Sequence, residues 1–203
     1  MPKKFSGQAV AVATGLWPVE CAGQIVFPMT GRPAGPWLQL VMMIELRGDE
    51  YFMREALRQA LKAGKADEVP VGAVIVRAGK IIARAHNQVE LLKDATAHAE
   101  MLALTQAEAA VGDWRLIDCD LYVTKEPCAM CAGALVHTRI RRVIFGCADP
   151  VAGAAGSVIN LLQMSTLNHR CDIAAGVLEN ECGAILKDFF RERRDARDRV
   201  DHL

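Results

Sequence analysis

The chain has 203 residues, is 52% hydrophobic, and carries 24 Lys plus Arg against 24 Asp plus Glu. This length suits one domain with a full apolar core. The charge balance excludes a globally basic nucleic-acid binder, so any nucleic acid must be held by a local patch.

Residues 1–48 are rich in Gly and Pro (Gly31, Pro33, Gly35, Pro36) and carry neither helical nor strand periodicity. We read them as a poorly ordered extension, with Met42, Met43 or Met53 as alternative starts of the native chain. Their longest apolar stretch, Trp37 to Leu46, holds Gln39 and Glu45 and falls far short of the roughly 20 residues a membrane span needs. Gln8, Trp17-Pro18 and Glu20 interrupt any signal-like core behind Lys3 and Lys4.

From residue 49 to residue 203 the pattern is that of one compact domain. Glu50 to Ala63 predicts an amphipathic helix, with Phe52, Ala56, Leu57, Ala60 and Leu61 on one side and Gly64 as its stop. Val69 to Arg77 and Lys80 to His86 predict two strands joined by a tight turn at Ala78-Gly79. A loop from Leu91 to Ala97 leads into a helix from His98 to Ala110, with Thr96 as its N-cap. Asp120 to Lys125 predicts a strand entering a second such helix, which carries Cys128 and Cys131 and runs to about Thr138. Arg142 to Cys147 is another strand. A Gly/Ala-rich loop (Asp149 to Ser157), a short helix (Val158 to Met164), a last strand (Cys171 to Ala174) and a long helix (Glu179 to about Arg197) complete the chain. Alternating strands and helices argue for a three-layer α/β/α sandwich around a mixed sheet of about five strands.

The chemistry concentrates in His98-Ala99-Glu100 and Pro127-Cys128-Ala129-Met130-Cys131. Cysteines three apart share a face in the first turn of a helix, and the helix N-terminus favours thiolate over thiol. With His98 they make three metal ligands. Three protein ligands leave a tetrahedral zinc with one open position, the mark of a catalytic site. Zinc lowers the pKa of water bound there toward neutrality. Glu100, two residues from the histidine, is then available as general base and later general acid. A redox Cys-x-x-Cys or half of a structural zinc knuckle is the competing reading of the cysteines. The first has no use for His-x-Glu, and the second needs another close pair. His-x-Glu with Pro-Cys-x-x-Cys is the signature of zinc-dependent nucleobase deaminases, in which water attacks an amidine-type carbon and ammonia leaves. The metal motif alone does not say which base is the substrate. Seven cysteines, an odd number without the spacing of a secreted scaffold, point to a reducing cytoplasm.

From about Tyr51 to Arg194 the chain resembles the bacterial tRNA-specific adenosine deaminases, the TadA type of the cytidine deaminase superfamily. Beyond the metal motif, the likeness is carried by Val69 to Val74, Gly153-Ala154-Ala155-Gly156-Ser157, Asn168-His169-Arg170 and Asp188-Phe189-Phe190-Arg191. The resemblance implies a cytidine deaminase-like fold and one zinc per subunit. It implies a homodimer that converts adenosine to inosine at the wobble position of a tRNA anticodon. It further implies that Asn87 hydrogen-bonds the flipped base, and that backbone near Val71 to Ala73 and at Ala99 lines the pocket. Without it, Asn87 reads as an ordinary turn residue. The alternative activity is deamination of a free base or nucleoside, guanine or cytosine.

Lys187 to Arg199 holds six basic and four acidic residues around Phe189 and Phe190. Phe189, Phe190, Arg191, Arg193 and Arg194 suit a phosphate-plus-stacking contact with single-stranded RNA. They suit equally a helix that docks both rings on the core and turns its charges to solvent. Arg139, Arg141 and Arg142 form a second basic cluster; His137 and His169 read as structural. Two features depart from the family pattern. Cys147-Ala148-Asp149-Pro150-Val151-Ala152 lacks the basic residues often present there, and Ala95 stands where proline is usual.

Overall fold

The computed structural model describes residues 48–201, together with residues 20–21 and 24–25. Glu20–Cys21 (β1) and Gln24–Ile25 (β2) pair antiparallel within a separate unit, Met1–Gln39. Apart from this strand pair and Gly48, the reading of residues 1–48 as an extension lies outside the described residues, as does that of Met42 or Met43 as a start. Met53 lies inside the first long helix and is fully buried.

The main unit is built on five strands in the order β4-β3-β5-β6-β7. They are β3 (Gly72–Arg77), β4 (Lys80–His86), β5 (Cys119–Lys125), β6 (Arg142–Cys147) and β7 (Asp172–Ala175). β3 pairs antiparallel with β4 and β5, and β5, β6 and β7 run parallel. The sheet is therefore mixed, as expected. The helices are α1 (Asp49–Lys65), α2 (Val89–Leu92), α3 (Ala99–Val111), α4 (Ala129–His137) and α5 (Glu179–Asp201).

Period-two alternation divides each strand between two cores. Ala73, Ile75, Leu121, Val123, Val143 and Phe145 face α3 and α4, where Ala103, Leu104, Leu135 and Val136 meet them. Val74, Val76, Tyr122 and Ile144 face the other way, toward Phe52, Met53 and Ala56 of α1 and Leu186 of α5. Both sheet faces are covered, so the strands read as nearly continuous apolar runs. Gly72 lets α1 approach closely: a Cβ there would lie 2.1 Å from the Ala56 carbonyl oxygen and 2.3 Å from the Ala60 nitrogen. Asp49 ties the start of α1 to the sheet by accepting from the Tyr122 hydroxyl at 2.8 Å and from both Arg142 Nη atoms at 3.0 and 2.7 Å.

Four local expectations need correction. Gly64 does not end α1, which continues through Lys65; the reversal falls at Asp67, in a left-handed conformation (φ 61°). Residues 69–71 precede β3 rather than belong to it, because Pro70 has no N–H and the Val71 amide closes a tight turn onto the Val69 carbonyl at 2.7 Å. Thr96 is not the cap of α3. Its amide and hydroxyl both donate to Asp94, and His98 holds the N-cap position in extended backbone (φ −69°, ψ 153°). Val158 to Met164 is not helical. The amides of Val158 and Ile159 bond to the Gly153 carbonyl and that of Leu161 to Ala154, so the segment folds back on the Gly/Ala loop. α2 adds a short helix that begins before the expected Leu91–Ala97 loop and takes its first two residues.

Candidate metal centre and active-site cavity

Two helix starts meet at the end of β5. α3 begins after His98 and α4 after Cys128, each an N-cap residue in extended backbone. Cys131 lies in the first turn of α4 and is fully buried. The imidazole Nδ1 of His98 lies 3.7 Å from Cys128 Sγ and 3.5 Å from Cys131 Sγ. The three ligand atoms all fall within 4.8 Å of one another, a set able to hold a metal ion. Among the described residues no other group of three His, Cys, Asp or Glu has this closeness.

The electrostatics favour a ligand set primed for a cation. The Cys128 thiol is pulled down to about 3, first by a hydrogen bond from Cys131 and then by His98. The same contact with Cys128, and then burial, pushes the Cys131 thiol up. The bond to Cys128 raises the His98 pKa against the opposing effect of burial. Glu100 lies beside them, buried in the first turn of α3, and burial pushes its carboxyl above the ordinary value.

A cavity of about 330 Å³ opens in front of these groups, within the size range of small-ligand sites. Of the residues singled out from sequence, His98, Glu100, Cys128, Asn87, Val71 and Phe190 all line it. Cys131 sits behind the wall. The side chains of Ala73 and Ala99 are fully buried and supply none of the lining.

The residues of the C-terminal helix singled out from sequence lie in different surroundings. Phe190 is 45% exposed at the cavity border. Phe189 stacks edge-on against it at 5.4 Å and lies beside a depression formed with Leu61, Gly64 and Pro70. Arg193 is engaged within the chain, 5.0 Å over the Phe189 ring and donating to the Asp67 carbonyl at 2.6 Å. Arg191 pairs with Asp188 at 2.7 Å, and Arg194 is exposed. The second basic cluster is also occupied. Arg141 forks onto Asp120 at 2.9 and 2.7 Å, Arg142 onto Asp49, and Arg139 donates to the Asn168 carbonyl at 3.3 Å. His169 has a structural place, its Nε2 donating to the Ile140 carbonyl at 2.7 Å.

Five cavity residues escaped the sequence reading: Val89, Glu90 and the three described next. Glu126, 2% exposed, accepts from the amides of Asp149 (2.9 Å), Ala155 (2.9 Å) and Ser157 (3.0 Å) and from the Ser157 hydroxyl. It is the peg around which the Gly/Ala loop folds, and Gly153 is required there because a Cβ would lie 2.4 Å from Glu126 Oε2. Lys125 pairs with the buried carboxylate of Asp149 at 2.7 Å. Glu68, 1% exposed, accepts from the Asn87 amide at 3.1 Å and from the Leu91 backbone N–H at 2.7 Å. Only the adjacency of Glu126 to Pro127-Cys128 hinted at a role for any of the three.

Comparison with known proteins matches the site and the fold together. The family of MafB19-like deaminases matches residues 48–194. The tRNA-specific adenosine deaminase of Bacillus subtilis (strain 168) is 52% identical over 146 residues, 72% of this chain and 91% of that protein. A solved structure from biochemical and structural studies of A-to-I editing by tRNA:A34 deaminases at the wobble position of transfer RNA is 46% identical. It has a TM-score of 0.65 and covers 67% of this chain and 99% of that one. A guanine deaminase from Nitrosomonas europaea, 24% identical with a TM-score of 0.62 over 70% of this chain and 84% of that one, shares the fold. With a His98, Cys128 and Cys131 cluster able to hold a metal ion, a buried glutamate beside it and a mixed five-stranded sheet, the chain belongs to the tRNA-specific adenosine deaminase family.

Proposed function

We propose that the chain hydrolyses adenosine to inosine at the wobble position of a tRNA anticodon, with one zinc ion per subunit. The observation that carries this reading is the cluster of His98, Cys128 and Cys131 beside a cavity that His98, Cys128, buried Glu100 and Asn87 line. The zinc assignment has support in the spacing. A tetrahedral ion with ordinary Zn–S and Zn–N bonds separates nitrogen from sulfur by about 3.6 Å, against 3.5 and 3.7 Å here. Two sulfurs and one imidazole also suit zinc better than a hard cation. Held by these three residues, zinc supplies a Lewis acid and lowers the pKa of water.

The chain's own groups do the rest. The Glu100 carboxylate takes a proton from the attacking water as the C6–O bond forms and passes it to N1, then carries the remaining hydroxyl proton to the amine as the C6–N6 bond breaks and the C6 carbonyl forms. The products are inosine and ammonia. Asn87 offers an amide to the base edge, with Val71 and the backbone near Ala73 and Ala99 as the walls. Anticodon-loop bases are poorly stacked, so extruding one costs little.

We further assign Phe190 at the cavity border, with Phe189, Arg191, Arg193 and Arg194 of the same helix, to the RNA strand. We read residues 49–203 as the deaminase domain and a homodimer as the working state. The apolar side chains exposed between β6 and β7, among them Val151, Val158, Ile159 and Met164, offer surface for self-association. No helix of the described residues is long and apolar enough to cross a membrane. The six free cysteines among those residues fit a reducing cytoplasm. Turnover of a wobble-adenosine stem-loop by the metal-loaded protein, absent from the Glu100→Gln variant, tests the assignment. Equal turnover by both proteins would overturn it.

A further inference from the structure

Asn87 can present its amide to the cavity in two orientations that differ by exchange of Oδ1 and Nδ2. One orientation offers an acceptor where the other offers a donor, so the reading of a base depends on which is held. Glu68 decides between them. Its carboxylate has acceptors only, so the Asn87 atom that faces Oε2 at 3.1 Å must be Nδ2. The other oxygen, Oε1, is occupied by the Leu91 N–H at 2.7 Å, which fixes the rotation of the carboxylate. Both residues of this contact are placed by bonds from their backbone N–H groups. The Glu68 amide donates to the Ala63 carbonyl at 3.0 Å, and the Asn87 amide donates to the Val71 carbonyl at 3.0 Å. Glu68 is 1% exposed and Asn87 6%, so water competes for neither.

We infer that Glu68 is the positioning residue for base recognition: it locks the Asn87 amide with Nδ2 turned inward, leaving Oδ1 and the second amide hydrogen for the substrate. The inference rests on the proposed role of Asn87 in holding the base. Glutamine at position 68 carries one oxygen and one NH₂ group. With the NH₂ toward Leu91 it would face a donor with a donor. With the NH₂ toward Asn87 it would reverse the Asn87 amide and turn Nδ2 to the cavity.

The test is a double-mutant cycle with Glu68→Gln and Asn87→Ala. Stem-loop kcat/KM is measured under single-turnover conditions, and affinity for the inosine-containing product stem-loop is measured without turnover. Glu68→Gln is expected to lower both by about tenfold in the Asn87 background, the scale of one lost hydrogen bond in a buried site. It is expected to cost less than about twofold when Asn87 is already alanine. An equal loss in both backgrounds, or no loss in either, would overturn the inference, because a carboxylate that merely supports the fold acts whatever stands at 87. Thermal midpoints of the four proteins monitor folding. Should Glu68→Gln not fold, Glu68→Asp takes its place in the same cycle. Failure of the wild-type protein on the stem-loop would refute the proposed activity instead. The cycle would then be run on whichever free base the protein deaminates.

Discussion

Replacing Glu126 is predicted to loosen the loop that closes one side of the site. In Glu126→Gln the new amide nitrogen fits only at the Oε2 position, because Oε1 takes two backbone N–H groups, those of Ala155 and Ser157. At Oε2 the Ser157 hydroxyl can turn from donor to acceptor, but the Asp149 N–H is left facing another donor. One charge-assisted bond is lost, about 1.5–3 kcal/mol. Glu126→Ala strands all three amides, each costing about 1–3 kcal/mol if unsatisfied. With some relief from water, its total is expected near 4–6 kcal/mol.

Urea unfolding with unchanged m-values measures both losses, and hydrogen exchange at Ala155 and Ser157 reports whether the loop opens first. The effect has a pH signature. Burial raises the Glu126 pKa, but the Ser157 hydroxyl and the Asp149, Ser157 and Ala155 amides more than offset this and hold it below its ordinary value. A depressed folded-state pKa stabilises above the unfolded value, near 4.3, and that stability fades as pH falls through the folded one. The gap between wild type and Glu126→Gln should therefore shrink at acid pH. An alanine variant costing under about 1 kcal/mol, or no more than glutamine does, would refute this reasoning.

Glu100→Gln is expected to keep its metal, measured by elemental analysis, while turnover falls by at least about 100-fold; loss of the metal as well would make Glu100 a ligand. Cys128→Ser should lower zinc content and the thermal midpoint together, since metal binding to the native state stabilises it. Asp49→Ala should cost about 1–3 kcal/mol by removing the bidentate Arg142 contact and the Tyr122 bond. Burial raises the Asp49 pKa, but Arg142 and Tyr122 hold it down on balance, so this contribution should disappear as pH falls below about 4. Neutralising Arg191, Arg193 and Arg194 together should weaken stem-loop binding and flatten its salt dependence, read by titration at several salt concentrations. An unchanged slope would confine that helix to a structural role.

Each half of the candidate site was legible from sequence because its spacing is local: Cys128 and Cys131 lie three apart at a helix start, and His98 and Glu100 two apart at another. That the two halves meet, 30 residues apart in the chain, is a product of the fold. The alternation of the strands was legible for the same reason. The supports were not. Glu68, Glu126 and Asp49 act across separations of 19, 29 and 93 residues, and a carboxylate destined for a buried acceptor site looks in sequence like any surface acid. Val158 to Met164 has an apolar composition that suits a helix, but its amides are claimed by Gly153 and Ala154, a tertiary competition that periodicity does not register. Thr96 does not cap α3 because the helix starts two residues later, after His98, while Thr96 is held in a turn by donating to Asp94. The Phe189-Phe190 pair was ambiguous because the two rings, adjacent in sequence, face different neighbours. One ring sits by a depression beside α1 and its neighbour borders the cavity.

The proposed activity is tested most directly by inosine formation on an anticodon stem-loop with adenosine at the wobble position, run beside free adenine, guanine, cytosine and cytidine. Turnover of the stem-loop with none of the free compounds consumed is the predicted result. Turnover of guanine or cytosine alone would contradict the tRNA assignment, leave the metal site and Glu100 in their roles, and recast Phe190 as a lid over a small-molecule pocket.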